Sequence, residues 1–333
     1  MYNSYMISLQ ACENREEWDD YIIENDGHPL QLWGWGETKA AHGWYVERLF
    51  GTDLDKKPVG AAQVLVKRLP WPFKALAYVP RGPVVGADDT ADFLEALANY
   101  AKTRFGAVAL DIEPDWTELP GLPEGWQKSE NTILIPDTLI LDLTKSEDEL
   151  LTPMAKKTRQ YIRKSEGEEH LAIQQIKGKE YFEACLAIYH ETAARAGFAI
   201  HDDTYYRDVF NNLGEASPVF AAFHEGRPVA FLWLAISAST AFELYGGVDD
   251  RGQELRANYA LKWHAIRKAK EWGIEKYDMN GLLNDGVSNF KRGFADHEDQ
   301  LVGTYERPLS PLYFVWTKAL PVGKKIIQKL RRR

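Results

Sequence analysis

Hydrophobic and polar positions fall into an order that occurs twice along the chain. Between Lys57 and Pro114, the run Pro58-Val59-Gly60-Ala61-Ala62-Gln63-Val64-Leu65-Val66 reads as a strand. A turn-rich stretch, Leu69-Pro70-Trp71-Pro72, leads to a second strand from Ala75 to Val79, and Pro80-Arg81-Gly82-Pro83 reads as a loop. Asp92 to Arg104 has helical periodicity, with Phe93, Leu94, Leu97 and Tyr100 on one face. The short run Val108-Ala109-Leu110-Asp111-Ile112 closes the unit as a strand. Between Arg227 and Gly281 the order recurs. Pro228 to Ile236 is predicted as a strand, and Thr240 to Tyr245 as the next, followed by Gly246-Gly247. Ala257 to Trp272 is predicted as a long helix with Leu261, Ile266 and Ala269 inward, and Lys276 to Met279 as the closing strand.

Matched elements in the same order at similar spacing favour a duplication over two unrelated α/β stretches. Strand–strand–helix–strand is the order of a GNAT-type half. The expected fold is therefore α/β: two tandem GNAT-like (acyl-CoA N-acyltransferase-like) halves facing a shared cleft. The halves are placed at residues 1–145 and 146–310, with a C-terminal segment at 311–333.

Composition narrows the function classes. The 333 residues carry a formal net charge of −9, so the chain is not a generic polyanion binder, and any phosphate must meet a local basic patch. The two cysteines, Cys12 and Cys185, form no metal-binding or disulfide pattern and fit a reducing, cytoplasmic setting. The first twenty residues lack the basic and apolar regions of a signal peptide, and no segment approaches the roughly 20 apolar residues of a membrane helix. Sixteen Tyr and eleven Trp imply aromatic-rich cores, with a few available to line a groove for a sugar or a base.

A series of phrases then resembles one family. They are QLWGWGETKAAHGW (31–44), YVPRGPVV (78–85), LDIEPD (110–115), KKTRQYIRKSEG (156–167), ETAARAGFAIHDDTYY (191–206), LYGG (244–247), ANYALKWHAIRKAKEWGIEKYDMNGL (257–282) and FKRGF (290–294). In this order they resemble the Fem (FemABX) family of peptidoglycan interpeptide-bridge aminoacyltransferases, in the compact form without a helical-hairpin insertion. The resemblance implies two GNAT-like halves. It also implies transfer of an amino acid from aminoacyl-tRNA to the side-chain amine of the third stem-peptide residue. The acceptor would be lipid II or the soluble precursor UDP-MurNAc-pentapeptide, and no cofactor or metal is implied.

The reaction is aminolysis of an ester, so the site must place positive charge near a developing oxyanion and leave a route for a proton. The resemblance puts Phe290-Lys291 where the ester lies, with Lys291 offsetting the charge and Phe290 packing the terminal adenosine or the core. A solvated surface lysine is the ordinary alternative for Lys291. Loop-like sequence is expected until about Ser288, then a short helix. Asp111 is implied near the acceptor amine, its alternative being a turn carboxylate. Lys39, on a predicted helix after Trp33 to Thr38, is implied at the precursor's phosphates. His201 stands where compact relatives often carry Arg. A neutral imidazole holds phosphate less well than a guanidinium, so Arg195 or Arg81 is the candidate to compensate. Tyr205, Tyr245 and Tyr277 are candidates to line the cleft or to sit in the core.

Lys156, Arg159 and Arg163 share one face of a predicted helix, a candidate contact for tRNA or pyrophosphate oxygens, with a solvated face paired to nearby Glu residues as the alternative. The last ten residues, Lys324 to Arg333, are basic with Ile326, Ile327 and Leu330 able to share a stripe. They are a candidate for peripheral contact with the inner membrane face or with tRNA, or else a frayed terminus. A monomer is expected. Two other functions remain open: an acyl-CoA-dependent N-acyltransferase and a non-catalytic tRNA- or precursor-binding module. Against the first, Arg256 in Gln253-Glu254-Leu255-Arg256-Ala257-Asn258 stands where a CoA pyrophosphate loop wants its first glycine.

Overall fold

The computed structural model describes residues 7–318. The basic run 324–333 lies outside the described residues. By its contacts the chain divides into two units. One takes Lys39–Leu134 with residues 7–21 and 302–318; the other takes Ile22–Thr38 and Ile135–Leu301.

The first unit is an eight-stranded sheet. Its strands are β1 (Ser8–Ala11), β2 (Tyr45–Thr52), β3 (Pro58–Arg68), β4 (Ala75–Pro80), β5 (Val84–Val85), β6 (Ala107–Glu113), β7 (Gln127–Lys128) and β16 (Tyr305–Pro308). They run in the order β1-β2-β3-β4-β6-β16-β7, with β5 on β3. In chain order α1 (Arg15–Glu24) and α2 (Trp33–Ala41), parts of which belong to the second unit, precede β2, and α3 (Thr90–Tyr100) crosses over between β4 and β6. The predicted helix 92–104 is α3 continued by a π turn, Ala101–Phe105, and stopped by Gly106 at φ 62°. Phe93, Leu94 and Leu97 pack on Leu49, Val64, Val79, Leu110 and Ile112. Phe93 fits because two strand residues have no side chain: a Cβ at Gly51 or Gly60 would lie 2.6 or 2.8 Å from its ring.

The second unit holds a six-stranded sheet of β9 (Ile140–Asp142), β10 (Leu171–Gln175), β11 (Val219–His224), β12 (Arg227–Ile236), β13 (Thr240–Val248) and β14 (Lys276–Asp278). Two short strands, β8 (Asp137–Thr138) and β15 (Asp299–Gln300), pair separately. Its helices are α4 (Glu147–Leu151), α5 (Lys156–Glu166), α6 (Lys179–Ala196), α7 (Asp203–Leu213), α8 (Asp250–Leu255), α9 (Ala257–Glu271) and α10 (Gly286–Arg292). Leu261, Ala265, Ile266 and Ala269 of α9 pack on Phe220, Val229, Leu234 and Tyr277.

The duplication is visible in pairing as well as order. β3 meets β4 antiparallel and β4 meets β6 in parallel after α3; β12 meets β13 antiparallel and β13 meets β14 in parallel after α9. Each repeat also has a preceding antiparallel strand, β2 and β11, that the periodicity did not single out. The units are not contiguous in sequence. β9, which precedes residue 146, pairs with β14, and β16 returns to pair with β6. Among the described residues no helix is long and apolar enough to cross a membrane.

Candidate functional site

A short strand opens the site in the second unit. β14 pairs with β13 only over Thr240–Phe242, then the chain turns away through Asn280 and Gly281, both left-handed at φ 53° and 48°. The Asn280 side-chain amide donates to the Glu243 carbonyl at 3.0 Å and so takes over one step of the lost ladder. Beyond it the edge of β13 is open. On the other side β13 carries a bulge, because the register with β12 passes from Tyr245 to Glu243 and skips Leu244. A pocket of 680 Å³ occupies the opening, walled by β12, β13, α6, α9 and α10.

One end of the pocket is charged. Lys291 and Phe290 line it from α10, a helix that begins at Gly286, earlier than expected, because the Asp285 carboxylate accepts from Ser288 N at 2.7 Å and caps it. The Lys291 ammonium donates to the carbonyls of Asn280 and, at 3.1 Å, of Gly281. Burial lowers its pKa to about 8; the Lys262 ammonium pushes the same way, while Glu243, Asp278 and Asp285 oppose it. Beneath, the Glu243 carboxylate accepts from Lys262 Nζ at 2.5 and 2.8 Å and from the Tyr277 hydroxyl at 2.9 Å. Lys262 also lies 5.2 Å from the centre of the Phe290 ring, which meets Tyr259 edge-on at 4.9 Å.

The other end is aromatic. Tyr189, Phe198 and Tyr245 line it with Arg195, whose guanidinium donates to Val248 O at 2.6 Å and faces Asp250 at 3.6 Å. Tyr245 hydrogen-bonds to Tyr205, and Tyr205 stacks on His201 at 4.0 Å, so His201 joins this wall through an aromatic neighbour. Tyr277 is buried under the charged end rather than lining the pocket. Gly247 lets α6 approach: a Cβ there would lie 2.9 Å from both Thr192 Oγ1 and the Phe231 ring.

Three candidates lie in the first unit. Asp111, on β6, stands beside Tyr78 of β4 and Glu306 of β16 in the ladder. Arg81 is buried at φ 46° just past the end of β4. Both act electrostatically on the Tyr78 phenol, whose pKa is raised mainly by burial, with Asp111 adding to the rise and Arg81 opposing it. Lys39, half-buried on α2, has its pKa lowered to about 8 by burial, and its carbonyl accepts from Trp44 N at 3.1 Å.

The α5 face is divided. Lys156 and Arg163 are exposed. Arg159 turns its guanidinium onto the carbonyls of Thr152 at 2.7 Å and Met154 at 2.8 Å, just past the end of α4.

Two family models match the chain: the FemAB family over residues 14–135 and an acetyltransferase (GNAT) domain over residues 154–292. The lipid II:glycine glycyltransferase of Staphylococcus aureus (strain MRSA252) is 22% identical, with 96% of this chain and 98% of that protein aligned. The chain resembles Fem proteins along most of its length. The crystal structure of FemX superposes with a TM-score of 0.81 at 20% identity, over 92% of this chain and 99% of that one. A tandem GNAT protein from the clavulanic acid biosynthesis pathway matches at TM-score 0.51 and 11% identity, over 92% and 99% of the two chains. The chain thus has two tandem GNAT-like halves, and it is an acyltransferase.

Periodicity and resemblance do not single out Glu243, Lys262 and Asn280. Two of them left a signal. Glu243 interrupts the apolar start of β13, Ala241-Phe242-Glu243-Leu244, and Lys262 stands four residues before Ile266 and seven before Ala269, on the inward side of α9. Buried charges of opposite sign on facing elements imply a pair.

Proposed function

We propose that this acyltransferase moves an amino acid from aminoacyl-tRNA to the side-chain amine of the stem peptide of a peptidoglycan precursor, lipid II or UDP-MurNAc-pentapeptide. The observation that carries the reading is the partly desolvated Lys291 ammonium, fixed by two main-chain carbonyls in the wall of an open-edged pocket. In this reading the ester carbonyl of the donor lies beside Lys291. The neutral acceptor amine attacks it and negative charge collects on the carbonyl oxygen; the acyl C–O bond then breaks, and the proton lost by the amine nitrogen ends on the ribose oxygen, which leaves as the hydroxyl. A fixed ammonium in a drier setting than water stabilises that charge without reorganising. Phe290 and Tyr259 offer ring faces to the terminal adenosine, and Tyr245, Tyr205 and Arg195 hold the aromatic end. Asp111 is assigned to the acceptor's ammonium, and Lys39, Arg81 and His201 to the precursor's phosphates. Lys156 and Arg163 are assigned to tRNA.

The glycyltransferase name of the staphylococcal relatives supports the acceptor class. The donor is tested by incubating the protein with a mixed pool of charged tRNAs, or with acetyl-CoA, and each acceptor, and reading the acceptor's mass. An aminoacyl increment with charged tRNA and none with acetyl-CoA is expected. Arg256 takes the left-handed conformation, φ 59°, at the start of α9 and lays its guanidinium over Tyr161 at 4.8 Å, so a side chain stands where a CoA pyrophosphate needs bare backbone. Acetylation of the acceptor would reverse the reading.

The basic face is tested separately. Replacing Lys156 and Arg163 by Ala is expected to flatten the slope of log affinity for tRNA against log salt by roughly 1.4–1.8, two contacts at about 0.7–0.9 each. Arg159→Ala is expected to leave the slope alone and to lower stability by about 1–3 kcal/mol through unsatisfied carbonyls. An unchanged slope in the double variant would return Lys156 and Arg163 to a solvated surface.

A further inference from the structure

One end of the first unit's sheet gathers three segments that contain no acidic residue. They are 67–76, the hairpin joining β3 to β4; 98–110, the end of α3 and the turn into β6; and 309–318, after β16. Register puts the first two together, since Arg68 pairs with Ala75 and Ala75 with Ala107. Packing adds the third: Phe73 of the hairpin meets Trp316 at 5.3 Å, and Leu69, Phe73 and Leu76 share one cluster with Leu312 and Tyr313.

What this end shows to solvent is unusual. Trp71, between two prolines at the hairpin tip, is 93% exposed, and Phe314 and Val315 are 71% and 54% exposed. The same three segments carry basic residues: Arg68 and Lys74 in the hairpin, Lys102 and Arg104 in the turn into β6, and Lys318. Arg68 and Arg104 flank a hollow of 210 Å³ floored by Val66 and Ala75 and rimmed by Tyr45 and Phe105. The carboxylate near it, Glu47, is buried and bonded to Tyr100 at 2.5 Å, with Arg104 at 3.9 Å. In a chain of net charge −9, three adjoining segments that carry basic residues and no acid, with an exposed apolar tip, are not ordinary solvated surface.

We infer that this end of the first unit is a docking surface for an anionic phospholipid bilayer. Trp71, Phe314 and Val315 enter the interfacial layer, and Arg68, Lys102 and Arg104 meet lipid phosphates, one of them in the 210 Å³ hollow. A tryptophan ring is favoured at the depth where headgroups meet acyl chains. Phe and Val beside it add apolar area that water leaves, and the basic rim gains from the negative surface potential. Three apolar side chains give reversible attachment, not insertion. The described residues end beside this patch at Lys318, and six of the chain's last ten residues are Lys or Arg. An RNA surface would use the same positive charge but has no use for the exposed Val315 between Phe314 and Trp316. The inference does not depend on the reaction proposed above, and it stands or falls on binding alone.

The test is co-sedimentation of the full chain with vesicles of mixed phosphatidylglycerol and phosphatidylcholine, and of phosphatidylcholine alone, at low salt. Recovery with the anionic vesicles and not with the neutral ones is expected. Trp71→Ala/Phe314→Ala is expected to lower the partition coefficient at least tenfold, with an unchanged thermal midpoint because both side chains are already in water. Arg68→Ala/Lys102→Ala is expected to lower it about 25-fold, roughly fivefold for each basic residue at an anionic surface. Wild-type recovery of both variants, or equal recovery of the wild type on neutral vesicles, would overturn the assignment. So would a charge variant that loses tRNA in filter binding while keeping the vesicles, since the patch would then be an RNA surface.

Discussion

Replacing Lys291 by Met is expected to lower kcat by about two to three orders of magnitude while the protein stays folded. The expected loss corresponds to about 3–4 kcal/mol, the usual cost of removing one preorganised group from an oxyanion. Stability should move little, or in the opposite direction. Burial lowers the Lys291 pKa to about 8, below the usual lysine value. The folded state therefore binds fewer protons than the unfolded chain between about pH 8 and the ordinary lysine range, and stability rises with pH across that window. Below pH 8 the charged lysine is carried at a cost that Met does not have. At pH 7 the Met variant should melt at or above the wild-type temperature, with the gap closing towards pH 10. The same ammonium sets the rate profile. If charge on Lys291 is what the transition state uses, kcat/KM falls as pH rises through about 8, and Lys291→Arg, which keeps its charge, lacks that descending limb. Turnover of the Met variant within a few-fold of wild type would remove Lys291 from the chemistry, whatever the melting data show.

The two repeats were legible because their strands are almost continuous apolar runs between turn residues, as in Pro58–Val66 and Pro228–Ile236. Period and punctuation locate such elements without a partner. The pocket was legible only in part. Resemblance singles out Phe290, Lys291 and Arg195, and these meet the cleft-or-core candidate Tyr245 around one opening. The opening itself depends on β14 being three residues long and on the left-handed pair Asn280-Gly281, which no periodicity reports. Tyr277 shows the limit from the other side. Its alternation with Lys276 and Asp278 gives a strand but does not say that its hydroxyl lies under the sheet, bonded to Glu243. Arg159 was grouped with Lys156 and Arg163 by helical spacing, yet the carbonyls left at the end of α4 claim its guanidinium, and that demand is visible only once both helices are placed.

Lys262→Met is expected to cost about 3–5 kcal/mol, the usual penalty for breaking a buried ion pair from one side. Lys262 is 3% exposed and Glu243 6%, and both oxygens of the Glu243 carboxylate accept from the ammonium. Burial lowers the Lys262 pKa, and Glu243 partly restores it. Without Lys262 the carboxylate keeps, among the described residues, the Tyr277 hydroxyl, and the faces of Phe290 and Phe294, 5.2 and 5.6 Å from Nζ, lose this cation. Removing both charges should recover most of the loss, so Lys262→Met/Glu243→Leu is expected to be far closer to wild type than either single change, and a double-mutant cycle in denaturant measures the coupling. The pair also bears on Lys291, since Glu243 favours its charged form and Lys262 opposes it. With Lys262 gone and Glu243 in place, the pKa of Lys291 rises and the descending limb of kcat/KM moves to higher pH. With both gone, the limb returns towards its wild-type position. A Lys262→Met variant as stable as wild type, with its pH profile unmoved, would mean that the two charges neither hold the pocket floor nor tune the lysine above it.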